Sequence, residues 1–181
     1  MPAAALLLID LVNAFDYEGG EAMRAATLPI VPAVAALTQR ARAAQVPVIY
    51  ANDNFGKWRS DFRRLVDTLV APDHAARDVV APLVPEADDY FILKPRHSAF
   101  YGTPLELFLH DLDVKRLVLT GIAADSCVLM TACDAKVRQF EVAVPCDCVA
   151  SADARNTRQA LDLMSRVTQA DVRGSAHVRW E

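Results

Sequence analysis

The chain predicts an α/β fold, a three-layer α/β/α sandwich around a mostly parallel, doubly wound, Rossmann-like sheet. Three observations carry that prediction. Short apolar runs recur at 5–9, 46–51, 90–93, 115–120 and 140–145. The stretches between them space their apolar residues as crossover helices do. With 53% of its 181 residues hydrophobic, the chain can bury one continuous core, so a single domain over 1–181 is expected.

Each element has a local reason. The first apolar run has no basic segment before it and runs straight into Asp10, so it reads as a buried strand rather than a leader peptide. Residues 29–44 carry apolar residues at helical spacing behind an opening proline and form the first crossover helix. Thr103, Pro104 and Glu106 supply an N-cap, a first-turn proline and an early acid, which predicts a short helix over 103–110. Helices follow at 125–139 and 153–168, and a last short strand at 170–172. The connections 52–60 and 71–89 are longer than crossovers need, and long loops often carry function.

Composition narrows the partners. Nineteen Lys and Arg against 23 Asp and Glu give a net charge of −4, and the basic residues form no stripe, so nucleic acid is not an expected partner. No apolar stretch approaches the roughly 20 residues that span a bilayer, so no membrane is expected either. Four cysteines, at 127, 133, 146 and 148, stand in a chain read as lacking a leader, which predicts reduced thiols in a cytoplasm. Cys146 and Cys148 have no second cysteine pair or His at ligand spacing, and read as strand-end packing.

Ligands of open parallel sheets bind outside the carboxyl ends of the strands. Asp10, Asn52, Lys94 and Cys127 all fall at such ends. Cys127 follows a strand and a tight turn and opens a helix, where unpaired N–H groups and the helix dipole favour a thiolate. An Asp and a Lys that each close an apolar run are awkward to bury alone. The two could be a structural ion pair, but a thiol on the same edge turns the reading toward catalysis.

Three segments then carry a family resemblance: Leu8-Ile9-Asp10-Leu11-Val12-Asn13-Ala14-Phe15, Lys94-Pro95-Arg96-His97-Ser98-Ala99-Phe100, and Thr120-Gly121-Ile122-Ala123-Ala124-Asp125-Ser126-Cys127-Val128. In this order the chain resembles the isochorismatase-like cysteine hydrolases over nearly its whole length. The resemblance implies a triad in which Cys127 attacks a carbonyl carbon, Asp10 handles the thiol proton and later activates water, and Lys94 stabilises the charged pair. It also implies a cis peptide between Ile122 and Ala123, with the N–H groups of Ala123 and Cys127 as an oxyanion hole. Lys94 and the helix terminus are expected to depress the thiol pKa. With Cys127 present, amide chemistry is expected over the vinyl-ether hydrolysis of isochorismate.

The resemblance also marks departures. Nicotinamidases of the family hold a metal through an Asp, a His two residues on and a further His. This chain has Asn52, Asp53 and Asn54 there, and His74, His97, His110 and His177 do not rebuild the spacing. No catalytic metal and no cofactor are expected. Phe15 and Trp58 are expected as an apolar wall with Tyr101 at the mouth, and Asn54, Arg59 and Arg96 as groups that orient a small-molecule substrate. His97 could reach the pocket rim or anchor its loop. Leu129, Met130 and Val137 suggest a homo-oligomer, as in the family. The leading reading is a cysteine hydrolase of a small amide, carbamoyl or ureido C–N bond. The alternatives are a nicotinamidase-type amidase and a noncatalytic binding or regulatory protein that keeps the fold.

Overall fold

The computed structural model describes residues 4–53 and 61–180. Its sheet contains β1 (Ala4–Ile9), β2 (Val48–Asp53), β3 (Tyr90–Lys94), β4 (Arg116–Ile122), β5 (Glu141–Ala143) and β6 (Val149–Ala150). The strand order is β3-β2-β1-β4-β5, and β6 pairs with β4 beyond the end of β5. All of these pairings are parallel. The chain therefore winds outward from β1 through β2 to β3, then returns to the other side of β1 with β4. That reversal opens a crevice at the carboxyl ends of β1 and β4.

Helices cover both faces: α1 (Gly20–Thr27), α2 (Val31–Ala43), α3 (Phe62–Leu69), α4 (Arg77–Val80), α5 (Leu105–Asp111), α6 (Leu129–Val137) and α7 (Ala154–Val167). Every residue of β1 is buried. Because side chains alternate along a strand, Leu7 and Ile9 pack with residues of α5, α6 and α7, while Leu6 and Leu8 pack with residues of α2, α3 and α4. A strand buried on both faces must be apolar at consecutive positions, which is how this run reads.

The five predicted strands are all present, with β2, β3 and β4 extended past their predicted ends. Five details differ from expectation. The two-residue β6 is too short to leave a periodic signal. Helices α1, α3 and α4 lie in stretches without a predicted element, α4 within the expected connection 71–89; α3 opens on Asp61, whose side chain accepts a hydrogen bond from the Arg64 N–H. The expected strand at 170–172 is a single bridge from Asp171 to Ala143. The expected helix at 125–139 begins instead with a π-helical turn, Ala124–Val128, before α6. The helix expected over 103–110 starts at Leu105 with Pro104, not Thr103, at its N-cap, and the Thr103 hydroxyl accepts from the Leu105 N–H at 3.2 Å from one position earlier. Among the described residues no helix is long and apolar enough to cross a membrane.

Candidate active site

The end of β1 sets the first group. Asp10 follows Ile9 with φ of 53°, a left-handed conformation that Asp tolerates better than most residues. Its N–H still donates to the Ala51 carbonyl at 3.0 Å, so the carboxylate turns over the end of β2 while the backbone stays in the ladder. There Oδ1 accepts the Asp53 N–H at 2.8 Å. Asp53 is the register partner of Lys94 at the end of β3. The Lys94 side chain, fully buried, reaches across β2 to Asp10 Oδ2 at 2.8 Å and approaches Asp53 Oδ2 at 3.5 Å. It also donates to the Arg96 carbonyl at 3.3 Å.

The end of β4 supplies the sulfur. Gly121 takes φ of 114°, and a Cβ there would stand 2.0 Å from the Ile9 carbonyl oxygen. Only glycine lets β4 pass so close to the end of β1 before the chain turns. The Ile122–Ala123 peptide is cis. The π-helical turn then carries Cys127 to Lys94, with Sγ 3.5 Å from Nζ. Lys94 thereby bridges the Asp10 carboxylate and the sulfur, and the Asp10 charge acts on the thiol. Asp10, Lys94 and Cys127 thus form one contiguous group although they come from three strand ends.

The segment after β3 is fastened to the same turn. The Ala99 N–H donates to the Thr131 hydroxyl at 3.0 Å, and that hydroxyl donates to the Cys127 carbonyl at 2.7 Å. Ser98 donates to Asp134 on α6, and Phe100 is buried in the core. The Ser98-Ala99-Phe100 segment therefore holds the loop that follows Lys94 in a fixed relation to the turn that carries Cys127.

The electrostatics correct one expectation. Burial pushes the Cys127 thiol up to about 12, the Asp10 charge adds to the rise, and Lys94 offsets only part of it. The thiol pKa is not depressed. The expected helix-terminal effect requires Cys127 to open an α-helix, whereas it is the fourth residue of a π turn and buried. Burial also raises the Asp10 carboxyl despite its ion pair with Lys94. Burial alone would lower Lys94, but the Asp10 and Cys127 charges outweigh it and hold the ammonium above its ordinary value. The resting site is a protonated thiol beside a carboxylate of increased proton affinity.

Other expected residues are dispersed. Phe15 is packed in the core with Leu6 and Leu8 rather than forming an open wall. Tyr101 is 64% exposed, and it lines a cleft of about 550 Å³ with Arg96, His97, Leu129, Met130 and Cys133. Arg96 is exposed and its guanidinium donates to the Pro95 carbonyl. Asn54, Trp58 and Arg59 lie outside the described residues. Val137 and Met130 are exposed on α6, and Leu129 packs partly against the core. His97 reaches the site: its Nδ1 is 3.7 Å from Cys127 Sγ and 3.4 Å from Ser126 Oγ.

Two residues were missed from sequence. Asp53 sits in the run Asn52-Asp53-Asn54, and only its register with Lys94 singles it out. Tyr17 is 45% exposed, and its hydroxyl pKa is raised first by partial burial and then by the charges of Asp10 and Cys127. Asn52 donates to the Val12 carbonyl at 2.7 Å, and its buried Oδ1 has no hydrogen-bond partner among the described residues. Among the described residues no cluster of three or more His, Cys, Asp or Glu could hold a metal ion.

Fold and site together describe an α/β protein with a thiol, a carboxylate and an ammonium at the carboxyl edge of its sheet, an arrangement suited to hydrolysis. Residues 4–175 match the isochorismatase domain, and the chain belongs to the isochorismatase family of hydrolases. It is 37% identical over 168 residues to the uncharacterized isochorismatase family protein YaaI of Bacillus subtilis, covering 93% of this chain and 92% of that one. It is 30% identical over 153 residues to the ureidoacrylate amidohydrolase RutB of an Enterobacter strain, covering 71% of this chain and 66% of that one. The structure of N-carbamoylsarcosine amidase from Thermoplasma acidophilum superposes with a TM-score of 0.74 at 27% identity, covering 97% of this chain and 98% of that one.

Proposed function

We propose that this hydrolase cleaves the C–N bond of a small amide, carbamoyl or ureido compound through a thioester on Cys127. The observation that carries the reading is the contiguity of Asp10, Lys94 and Cys127, with Nζ 2.8 Å from the carboxylate and 3.5 Å from the sulfur. A thiol raised to about 12 is a poor nucleophile until its proton is removed, and Asp10, itself raised and joined to the sulfur through Lys94, is the acceptor. As Sγ bonds to the carbonyl carbon, its proton passes to Asp10 and the carbonyl electron pair moves to oxygen. The N–H groups of Ala123 and Cys127 receive that oxyanion. Collapse expels the nitrogen, which takes the proton from Asp10. Water then gives a proton to Asp10 and attacks the thioester, releasing the acid and the thiol.

Lys94 keeps the site neutral while the proton moves. Its ammonium faces both partners, so it balances whichever of Asp10 or Cys127 bears the negative charge. The relatives named above support a C–N substrate, since one is a ureidoacrylate amidohydrolase and another an N-carbamoylsarcosine amidase. A panel of ureido acids, N-carbamoyl amino acids and simple carboxamides, nicotinamide included, tests the reading by ammonia release. Wild type is expected to release ammonia from at least one compound, and Cys127→Ala from none. Release by the variant at the wild-type rate would refute a sulfur nucleophile. Binding of panel compounds by both proteins without turnover by either would favour a binding protein that keeps the fold.

A further inference from the structure

The proposed triad leaves one polar contact of the sulfur unused. His97 stands three residues beyond Lys94, on the loop that Ser98 and Ala99 fasten to α6, and its imidazole is exposed. Its Nδ1 lies 3.7 Å from Cys127 Sγ, within hydrogen-bond reach of sulfur, and 3.4 Å from Ser126 Oγ. Lys94 meets the same sulfur from a fully buried position. The sulfur is therefore contacted by one buried and one exposed nitrogen group.

We propose that His97 is a fourth catalytic residue, whose Nδ1–H hydrogen-bonds to the Cys127 sulfur and stabilises the thiolate that forms when Asp10 takes the proton. The inference rests on the thioester reading above and extends it. Three facts favour contact with sulfur over simple anchoring of the loop. The loop is already tied down by the Ala99 and Ser98 hydrogen bonds, so it does not need His97 for its position. The thiol is raised by burial and by Asp10, so a further donor to the sulfur meets a need that Lys94 only partly fills. The same imidazole lines the 550 Å³ cleft beside Tyr101 and Met130, placing it between the sulfur and open space.

The bond changes are those of the triad, and His97 gains and loses no atoms. During attack the S–H proton goes to Asp10 and the S–C bond forms while Nδ1–H faces the sulfur. During deacylation the S–C bond breaks, its electron pair stays on sulfur, and Nδ1–H again faces the leaving thiolate. The imidazole contacts Cys127 and Ser126 on the π turn, and its own segment carries the cations Lys94 and Arg96. Beyond them, Asp10 is paired with Lys94, and Asp134 holds Ser98.

Alkylation of Cys127 by iodoacetamide, followed by peptide mass spectrometry at neutral pH, tests this without a substrate. Exposed Cys146 serves as the reference within the same molecule. His97→Ala is expected to slow Cys127 alkylation about tenfold with Cys146 unchanged, the scale of one lost hydrogen bond to a charged group. His97→Asn, whose side-chain N–H can stand where Nδ1–H stood, is expected to restore most of the rate. Alkylation of His97→Ala at the wild-type rate, or an Asn variant as slow as the Ala variant, would overturn the assignment. The readout needs no turnover, so a failed amide panel leaves it intact, and its own failure leaves the triad standing.

Discussion

Cys127 and Asp10 hold one proton between two groups whose affinities burial has raised together. That is the consequence of placing a thiol and a carboxylate at strand ends under a packed core, and Lys94 makes the charge tolerable rather than abolishing the cost. Asp10, Lys94 and Cys127 are legible in the sequence because each is a polar residue that interrupts or follows an apolar run. The direction of the thiol shift is not legible, because neighbouring charges can be read from motifs while the depth of burial cannot. The shift has a measurable effect on stability. The folded thiol titrates near 12 against an ordinary value of 9.0, so between those values the folded state holds a proton that the unfolded chain has lost. Stability from this group is therefore complete below about pH 9 and declines as pH rises toward 12. Urea midpoints taken at intervals from about pH 8 to 11 are expected to fall for wild type and to fall less steeply for Cys127→Ala. The slope will not vanish, because burial also raises Cys148 and Tyr50. Equal slopes would remove Cys127 from the account.

The elements succeed by keeping strand ends in register. Pairing of Ile9 with Gly121, more than a hundred positions apart, and of Asp53 with Lys94 brings distant residues to one edge. Strands β1 to β5 were legible because buried parallel strands are apolar at consecutive positions. Helices α1, α3 and α4 were not, since each is short and carries few buried residues. The π turn was missed for another reason: one extra residue per turn leaves no periodic mark over five residues. At this scale the critical position is Gly121. Alanine there would place its Cβ against the Ile9 carbonyl in a backbone conformation that favours glycine. Gly121→Ala is expected to cost several kcal/mol, of order 3, read as a lower thermal midpoint and lost protection of the β1 and β4 amides. A melting curve that matches wild type would show that β4 can pass β1 by another path.

Over the whole molecule, a doubly wound sheet collects the ends of β1, β2, β3 and β4 at one crevice, and the chemistry sits where the winding reverses. Fold class followed from composition and alternation, whereas the substrate contacts did not. Phe15 proved to be core, because an aromatic after a strand end packs inward as readily as it lines a pocket. The central claim is a covalent bond between substrate and Cys127, and rapid quenching of the enzyme with a hydrolysed compound, followed by peptide mass spectrometry, tests it most directly. The account predicts the acyl fragment as a hydroxylamine-sensitive adduct on the Cys127 peptide, absent from Cys127→Ala. Turnover with an adduct on another residue, or steady turnover by the variant, would contradict it.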